Sequence, residues 1–422
     1  MAATLRSKST AGKYKYRGDE QLRNKTQDIC ATFSPEFKLL FTCLRGRVGE
    51  KERELLDAVT VEGINWDFFM GLAVHHGIYP LVYQYLSTLD NAVLPLAVVC
   101  SLREKFRENM SKSLQMTGEL VKLIQLMEQN GIRVLVLKGF LLGHKLYGNV
   151  ALRPAHDLDI LVWPEEVDKA SKIIEAQDYE RIFPGCTGTP KQLRNWMKTQ
   201  HHFSYWQKDK QISLELHWRL GHHGLDIPLT CVKICQIQVQ IAKQSMSILG
   251  AEELLLSLAL HGASHGWFRL KWLCDIGMIL RQAEFSWQKL YRLTRSLGFE
   301  SVLNQTIVLV HELLAVQVPD NIADTVFKDL QARKLADMTI PFITKHYHRN
   351  TGVSLYYWQK KYELNLRYGW RRKLSFIHGH FLPTDADIEL IALPAYFYFI
   401  YYLLRPFTWL GRKVWKFAPK QC

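Results

Sequence analysis

Several widespread catalytic signatures are missing from this sequence. It contains no G-x-x-x-x-G-K-[ST] loop for cradling phosphates and no G-x-S-x-G turn for a serine nucleophile. Its eight cysteines include no C-x-x-C pair, and Cys231 and Cys235 lack a second ligand pair at zinc spacing. These absences argue against a P-loop enzyme, an α/β-hydrolase and a structural zinc module. Scattered thiols favour a reducing, cytoplasmic setting.

The sequence also lacks an apolar run long enough for a membrane-spanning helix, which takes about 20 residues. Residues 390–404 form an uncharged stretch of fifteen residues that is interrupted by Pro394 and followed by basic residues. This stretch predicts either a buried core helix or a helix lying on a membrane surface, with contact through residues 388–417. The N-terminus is polar and basic without an apolar segment, so we expect no secretory signal.

Acidic residues are outnumbered, with 54 Lys and Arg against 40 Asp and Glu, which gives a net charge of +14. A basic protein favours anionic partners such as nucleotides, nucleic acid or an acidic membrane surface. The charge does not choose among them, and nucleic acid is possible without being indicated by any motif. Hydrophobic residues make up 48% of the chain, so a sizeable folded core is expected.

Hydrophobic periodicity predicts helical regions on both sides of a small α/β unit. Strands are expected at 132–139, 157–162 and 179–183 and as a pair at 201–207 and 212–218, with helices at 140–147 and 164–177. The predicted organisation has five parts: a polar basic segment 1–30, a helical region 31–130, an α/β core 131–220, a helical domain 221–380, and an aromatic apolar helix with a basic tail 381–422.

Two carboxylates, Asp157 and Asp159, stand two residues apart at the start of a predicted strand. Side chains on a strand alternate between faces, so both carboxylates point the same way. Such a pair repels itself unless a cation lies between the two groups, and Mg²⁺ binds to a few carboxylates together with substrate phosphates. We therefore predict a metal site here, which Glu215 on a later strand would complete. His217 shares the face of Glu215.

The string LVLKGFLLGHKLYGNVALRPAHDLDILVWPEEVDKASKIIEAQDYE at 135–180 resembles the uncharacterised nucleotidyltransferase family often called nucleotidyltransferase family 5. The shared pattern is a Lys-Gly pair, a helix ending in Tyr, R-x-x-x-D-[IL]-D-[IL]-L-V, and later an acid-x-His-Trp strand, here ELHW at 215–218. The family is similar to polymerase-beta-type and kanamycin-type nucleotidyltransferases. The resemblance covers roughly residues 60–290.

This resemblance implies an α+β protein in which a small mixed-sheet nucleotidyltransferase core is flanked by N-terminal and C-terminal helical regions. It implies transfer of an NMP from an NTP, ATP among the candidates, to an unknown acceptor, with two Mg²⁺ ions held by Asp157, Asp159 and Glu215. A Gly-Ser pair that holds the triphosphate in typical members of the superfamily is replaced by Lys138-Gly139. Lys138, Gly139 and Arg153 are therefore the predicted nucleotide-binding residues.

Other readings stay open. His261 and His265 share one helix face, and with His217 they are candidates for the acceptor site, although core histidines are the commoner case. The dipeptide His156-Asp157 also occurs in HD phosphohydrolases, but there it lies on a helix. The missing Gly-Ser pair permits a non-catalytic protein that binds a nucleotide or a partner, and the charge permits a basic scaffold.

Overall fold

The computed structural model describes residues 33–45, 63–89, 94–184 and, with short gaps, 193–414. The predicted N-terminal segment 1–30 lies outside the described residues, as do residues 415–422 of the basic tail. The architecture is α+β, as predicted: a seven-stranded mixed sheet is flanked in the chain by helices on both sides.

The helices that precede the sheet follow the predicted pattern. They are α1 (Pro35–Arg45), α2 (Trp66–His75), α3 (Tyr79–Leu86) and α4 (Leu96–Gln129). Gly77 lies between α2 and α3 and adopts φ +66°. Gly131 follows the end of α4 and adopts φ +71°. Both glycines adopt a left-handed conformation that other residues rarely reach.

Seven strands form the sheet: β1 (Leu135–Val136), β2 (Asp157–Leu161), β3 (Tyr179–Phe183), β4 (His202–Gln207), β5 (Ile212–His217), β6 (Gln236–Ile241) and β7 (Gln244–Leu249). Their spatial order is β3-β4-β5-β2-β1-β7-β6. The pairs β2/β5 and β1/β7 are parallel, whereas the other neighbours are antiparallel. Helix α5 (Phe140–Tyr147) connects β1 to β2, and helix α6 (Val167–Glu175) lies between β2 and β3.

The central strands separate apolar from polar side chains by simple alternation. Leu158, Ile160, Leu214 and Leu216 are buried in one hydrophobic cluster together with side chains from α4 and α6. Since side chains alternate along a strand, the intervening residues of β2 and β5 point to the opposite face. That face carries the carboxylates, and the apolar face fixes the strands that hold them.

Strands β6 and β7 correct the prediction that residues 221–380 are helical. Both strands belong to the same sheet as the predicted core, because β7 pairs in parallel with β1 through Leu135 and Ser247. The segment QIQVQI of β6 alternates polar and apolar residues, which is a strand signal that the helical interpretation passed over. The division into five parts stays a prediction.

The chain after β7 is mainly helical. The helices described there are α8 (Ala251–Ser264), α9 (Leu270–Gln282), α10 (Trp287–Leu297), α11 (Glu300–Leu314), α12 (Asp320–Phe327), α13 (Leu330–Thr344), α14 (Val353–Asn365), α15 (Trp370–Gly379) and α16 (Ile400–Val414). The short helix α7 (Leu229–Val232) lies earlier in the chain, between β5 and β6. Helices α8, α9 and α11 contribute to a second hydrophobic cluster, which also includes side chains of α1 to α3.

The aromatic stretch 390–404 is divided between a short 3₁₀ turn at Ala395–Phe397 and the start of α16. Tyr401 is buried, whereas Tyr396, Phe399 and Leu403 are each more than 60% exposed. The described part of this stretch is therefore partly buried and partly exposed, so it is not the fully buried core helix that was one of the two predictions. Of the helices within the described residues, none combines the length and the apolar character needed to cross a bilayer.

Candidate metal and nucleotide site

The predicted carboxylates lie on adjacent strands. β2 and β5 run parallel with Asp159 as the register partner of Glu215, so these two side chains lie beside each other on the polar face. Asp157 is two residues earlier on the same face of β2. Asp159 is almost completely buried, and 26% of the Glu215 side chain is exposed. The sequence-based prediction that the three residues share one sheet face thus holds in the structure.

Two basic side chains contact these carboxylates directly. Lys138 Nζ lies 3.0 Å from Asp159 Oδ1. His217 Nε2 lies 3.2 Å from Asp159 Oδ1 and 3.1 Å from Glu215 Oε2. Burial lowers the pKa of Lys138, but the neighbouring carboxylates outweigh this effect and the pKa is raised. The pKa of His217 is likewise raised, because its hydrogen bonds to Asp159 and Glu215 outweigh burial. Lys138 therefore neutralises part of the carboxylate charge, and the contacts of His217 favour its protonated form.

The two aspartates differ in their affinity for a proton. Asp159 is so close that its charge, together with burial, raises the pKa of Asp157. Burial raises the pKa of Asp159 as well, but Lys138 and His217 outweigh it and hold that pKa well below its usual range. Asp159 is thus the firmly ionised member of the pair, whereas repulsion between the two carboxylates makes Asp157 easier to protonate. A bound cation would reduce this repulsion.

The carboxylates open into a cavity of about 490 Å³ between the sheet and the helices α8 and α9. Its lining includes eight of the nine predicted site residues: Lys138, Arg153, Asp157, Asp159, Glu215, His217, His261 and His265. Leu220, Leu225 and Ile227 line the cavity as well. One chamber therefore offers both a charged wall and an apolar wall.

Gly139, the ninth predicted residue, lies just behind the lining. It precedes α5 and adopts φ +76°, a conformation that favours glycine. A Cβ atom at this position would lie 3.8 Å from the carbonyl oxygen of Asp157, which is ordinary contact. Glycine is thus favoured here by the backbone conformation rather than by a lack of space.

Arg153 lines the cavity but is already engaged by protein groups. Its Nε donates to Asp275 Oδ2 at 2.8 Å, and its Nη1 donates to the carbonyl oxygen of Gly139 at 3.4 Å. Tyr147 donates its hydroxyl to the other oxygen of Asp275. The side chains of Arg153 and Asp275 are 4% and 1% exposed. This geometry favours a role in holding the loop before β2 against α9, and a nucleotide contact by Arg153 stays a prediction.

His261 and His265 lie on the helical wall of the cavity. Their rings contact each other with centroids 4.7 Å apart, and the His265 ring stacks on Trp272 at 5.4 Å. Burial, with the positive charge of Lys138 next in importance, lowers the pKa of both histidines. They are neutral groups that face the carboxylates across the cavity, which is compatible with an acceptor site and equally with a packed aromatic cluster.

Sequence reasoning missed several residues of this cavity. His201, His202, Arg269 and Lys271 also line it. The register of β4 with β5 pairs His202 with His217, so the predicted hairpin already carried a signal for the histidines. Lys271 lies at the start of α9 and donates to the carbonyl oxygen of Pro154 at 3.1 Å. Burial, reinforced by Arg153 and Arg269, lowers the pKa of Lys271 to about 8. No local pattern marks this lysine.

The donor chemistry of the carboxylate group fits a hard divalent cation. Ligand atoms of Asp159, Glu215 and His217 lie within 4.8 Å of one another, and Asp157 extends the oxygen set along β2. Mg²⁺ takes oxygen ligands and keeps several waters, so two or three carboxylates with substrate phosphates suffice. The position nearest to Asp159 is occupied by Lys138 and His217, which a cation would have to displace.

Comparisons with known proteins identify related sequences. A family model described as "uncharacterised nucleotidyltransferase" matches residues 62–315, more than half of the 422 residues. No curated protein matches the chain. A solved structure of an antigenic nucleotidyltransferase-like protein from Paracoccidioides brasiliensis is 13% identical and has a TM-score of 0.30, covering 52% of this chain and 99% of that chain. At this level of similarity it does not bear on the fold or the site.

Proposed function

Since the chain belongs to this uncharacterised nucleotidyltransferase family, we propose that it is a metal-dependent nucleotidyltransferase that transfers an NMP from an NTP to an acceptor. The observation that supports the proposal most is the pairing of Asp159 with Glu215 on parallel strands, with Asp157 on the same face and Lys138 beside them. Together these residues turn clustered negative charge and the ammonium group of Lys138 toward a single cavity.

In this reaction an acceptor oxygen bonds to the α-phosphorus, the bond from that phosphorus to the bridging oxygen of pyrophosphate breaks, and the acceptor loses its proton. When bound, two Mg²⁺ ions would supply the charge that activates the acceptor oxygen and stabilises the leaving pyrophosphate. Asp157, Asp159 and Glu215 would hold these ions. Lys138, no longer needed to neutralise Asp159, would turn its ammonium group to the triphosphate.

The acceptor would enter from the helical side of the cavity. His261 and His265 offer neutral imidazoles on this side, and Leu220, Leu225 and Ile227 from the segment after β5 add apolar lining to the cavity. Neutral imidazoles both donate and accept hydrogen bonds, which suits a hydroxyl group.

Pyrophosphate release tests the proposal. The purified chain is incubated with Mg²⁺ and each of ATP, GTP, CTP and UTP, with water serving as a poor substitute for the acceptor. Pyrophosphate should appear with at least one NTP, require Mg²⁺, and disappear in the Asp157→Asn/Asp159→Asn variant. The variant Asp168→Asn/Asp209→Asn removes two exposed carboxylates away from the cavity and serves as the matched control.

A second candidate is a non-catalytic protein of the same fold that binds a nucleotide or a partner. It is motivated by the contacts of Lys138 and His217, which already neutralise the carboxylates without any metal. On this account an NTP binds to the cavity but yields no pyrophosphate, and Asp157→Asn/Asp159→Asn does not weaken binding. The two candidates thus differ in both turnover and the effect of this variant.

A cytoplasmic protein with peripheral membrane contact would use the exposed aromatic residues near α16. Phe399, Leu403 and Phe407 are each more than 60% exposed. Aromatic and apolar side chains beside basic residues are typical of helices that lie in a membrane interface. Flotation with vesicles containing phosphatidylserine tests this contact: loss of binding in Phe399→Ser/Leu403→Ser/Phe407→Ser supports it, and unchanged or absent binding contradicts it.

A further inference from the structure

Three histidines meet at the end of the β4–β5 hairpin, beside the carboxylates. His201 immediately precedes β4, His202 begins it, and His217 ends β5 as the register partner of His202. Ring centroids lie 4.4 Å apart for His201 and His202, 5.1 Å for His202 and His217, and 5.7 Å for His201 and His217. One nitrogen from each ring lies within 4.8 Å of the others.

The spacing of these nitrogens resembles that of ligands around one metal ion. Zn²⁺ binds imidazole nitrogen at about 2.0–2.1 Å, so two nitrogens in a tetrahedral site lie about 3.3 Å apart. His201 Nε2 lies 3.0 Å from His202 Nδ1, which requires a small opening of this pair and no movement of the strands. The His217 ring lies farther away, 5.1 Å from His202 and 5.7 Å from His201 between centroids, so it would have to approach the other two when an ion binds.

Carboxylates surround the histidines in the way that metal-binding imidazoles require. A ligating histidine commonly donates its second ring N–H to a carboxylate, which fixes the ring and raises its basicity. Glu215 Oε1 lies 3.9 Å from His202 Nε2, and Glu215 Oε2 lies 3.1 Å from His217 Nε2. Asp159 Oδ1 contacts the same nitrogen of His217. These acids therefore orient the His217 ring, and Glu215 lies close enough to His202 to attract it electrostatically.

We propose that His201, His202 and His217 form a binding site for a first-row transition-metal ion such as Zn²⁺, separate from the Mg²⁺ position at the carboxylates. Imidazole nitrogen suits Zn²⁺, Co²⁺ and Ni²⁺, whereas Mg²⁺ prefers oxygen ligands, so the two neighbouring groups select different ions. A water molecule or Glu215 supplies the fourth ligand. The proposal does not depend on nucleotidyl transfer, because the three rings would bind the ion in the absence of an NTP.

His217 is a ligand of the proposed histidine site and a hydrogen-bond partner of Asp159 and Glu215, which couples the two sites. In the structure it contacts both Asp159 and Glu215 and helps to neutralise them. An ion at the histidines would share this ring with the carboxylates and would place a second positive charge next to Glu215. A metal at the histidines is thus expected to change the Mg²⁺ affinity of the neighbouring site.

Cobalt spectroscopy tests the site with the full chain, produced without a histidine tag and stripped of metal. Titration with Co²⁺ should give intense visible absorption typical of a four-coordinate ion at one equivalent, and Zn²⁺ should abolish it. His201→Ala/His202→Ala should weaken Co²⁺ binding at least about tenfold. The control His144→Ala/His378→Ala removes two histidines that do not line the cavity and should bind as the unchanged chain does.

Two further variants distinguish loss of the metal site from misfolding and from failure of the proposed function. His202→Gln alone should also weaken binding, and its circular dichroism and melting temperature are compared with those of the unchanged chain, so that misfolding is recognised. Asp157→Asn should retain Co²⁺ binding even if it abolishes binding of Mg²⁺ and NTP, which separates failure of this site from failure of the proposed function. Absence of stoichiometric Co²⁺ binding, or equal binding by the His201→Ala/His202→Ala variant, would overturn the proposal.

Discussion

Arg153 and Asp275 form a buried ion pair in which Arg153 Nε lies 2.8 Å from Asp275 Oδ2. The pair joins the loop that leads into the carboxylate strand to helix α9, which forms the opposite wall of the cavity. Tyr147 binds the second oxygen of Asp275, so a third element is tied to the same point. This pair therefore links the two walls of the candidate site.

Removal of one partner of this pair should destabilise the protein. Arg153→Met leaves the Asp275 carboxylate buried without its guanidinium partner, and the expected loss in the free energy of unfolding is about 3–5 kcal/mol. Asp275→Asn, which leaves the guanidinium without its carboxylate, should cost a similar amount. Urea denaturation of both variants and of the double variant measures the coupling, which should make the double variant more stable than the sum of the single effects predicts.

The same variants separate this role from phosphate binding. If Arg153→Met unfolds at the same urea concentration as the unchanged chain but binds NTP far more weakly, the ion pair is dispensable for stability. Arg153 would then act as the nucleotide ligand that the sequence predicts.

Lys138→Met should weaken NTP binding in the presence of Mg²⁺ by roughly 10- to 100-fold, because one charge-assisted hydrogen bond to phosphate contributes about 1.5–3 kcal/mol. Without nucleotide, the same variant should bind Mg²⁺ more tightly, since the ammonium group that lies 3.0 Å from Asp159 no longer competes. Isothermal titration calorimetry measures both affinities. Lys328→Met removes an exposed lysine far along the chain and serves as the control.

The opposite signs of these two effects make the test specific. A general loss of folding would weaken both affinities together. If NTP affinity stays within about twofold of the unchanged chain, Lys138 has no contact with the triphosphate and serves to neutralise Asp159.

His76 should make the stability of the protein depend on pH. This histidine is completely buried between α2 and α3, and its Nδ1 accepts a hydrogen bond from the backbone N–H of Leu270. Burial, followed by repulsion from His75 and Arg269, lowers its pKa to about 3. The unfolded chain, in which the pKa is about 6.5, therefore binds one more proton between these values. The free energy of unfolding falls as the pH falls through this window.

His76→Gln removes this contribution and should flatten the pH dependence by about 1.4 kcal/mol per pH unit between roughly pH 4 and 6. Denaturation curves at several pH values, with His378→Gln as an exposed control, measure the difference. Equal slopes for His76→Gln and the unchanged chain would mean that folding does not lower the pKa of His76.

The sequence was sufficient for the carboxylate strand and its immediate surroundings. Alternation at Asp157 to Val162 predicted a strand with both aspartates on one face, and β3 and α5 lie at their predicted positions. These features depend on local periodicity and on turn residues such as Gly148. Glu215 was predicted because a metal site needs a third carboxylate from a neighbouring strand, and β5 does pair with β2.

Features that depend on contacts between distant parts of the chain could not be predicted from local sequence patterns. Strand β7 pairs with β1, which is only two residues long, and β6 forms the edge of the sheet next to β7. The sequence around Leu135 does not indicate that β7 is the strand that pairs with β1. The partner of Arg153 is 122 positions away, on a helix whose own pattern is apolar. Burial of Lys271 likewise follows from the meeting of α9 with the loop at Pro154.

Calorimetric titration of ATP, GTP, CTP and UTP with and without Mg²⁺, into the unchanged chain and into Asp157→Asn/Asp159→Asn, tests the central claim most directly. We expect at least one NTP to bind only when Mg²⁺ is present, and the double variant to lose that binding while Asp168→Asn/Asp209→Asn retains it. If no NTP binds, or if the Asp157→Asn/Asp159→Asn variant binds as well as the unchanged chain, the carboxylates are not a metal–nucleotide site.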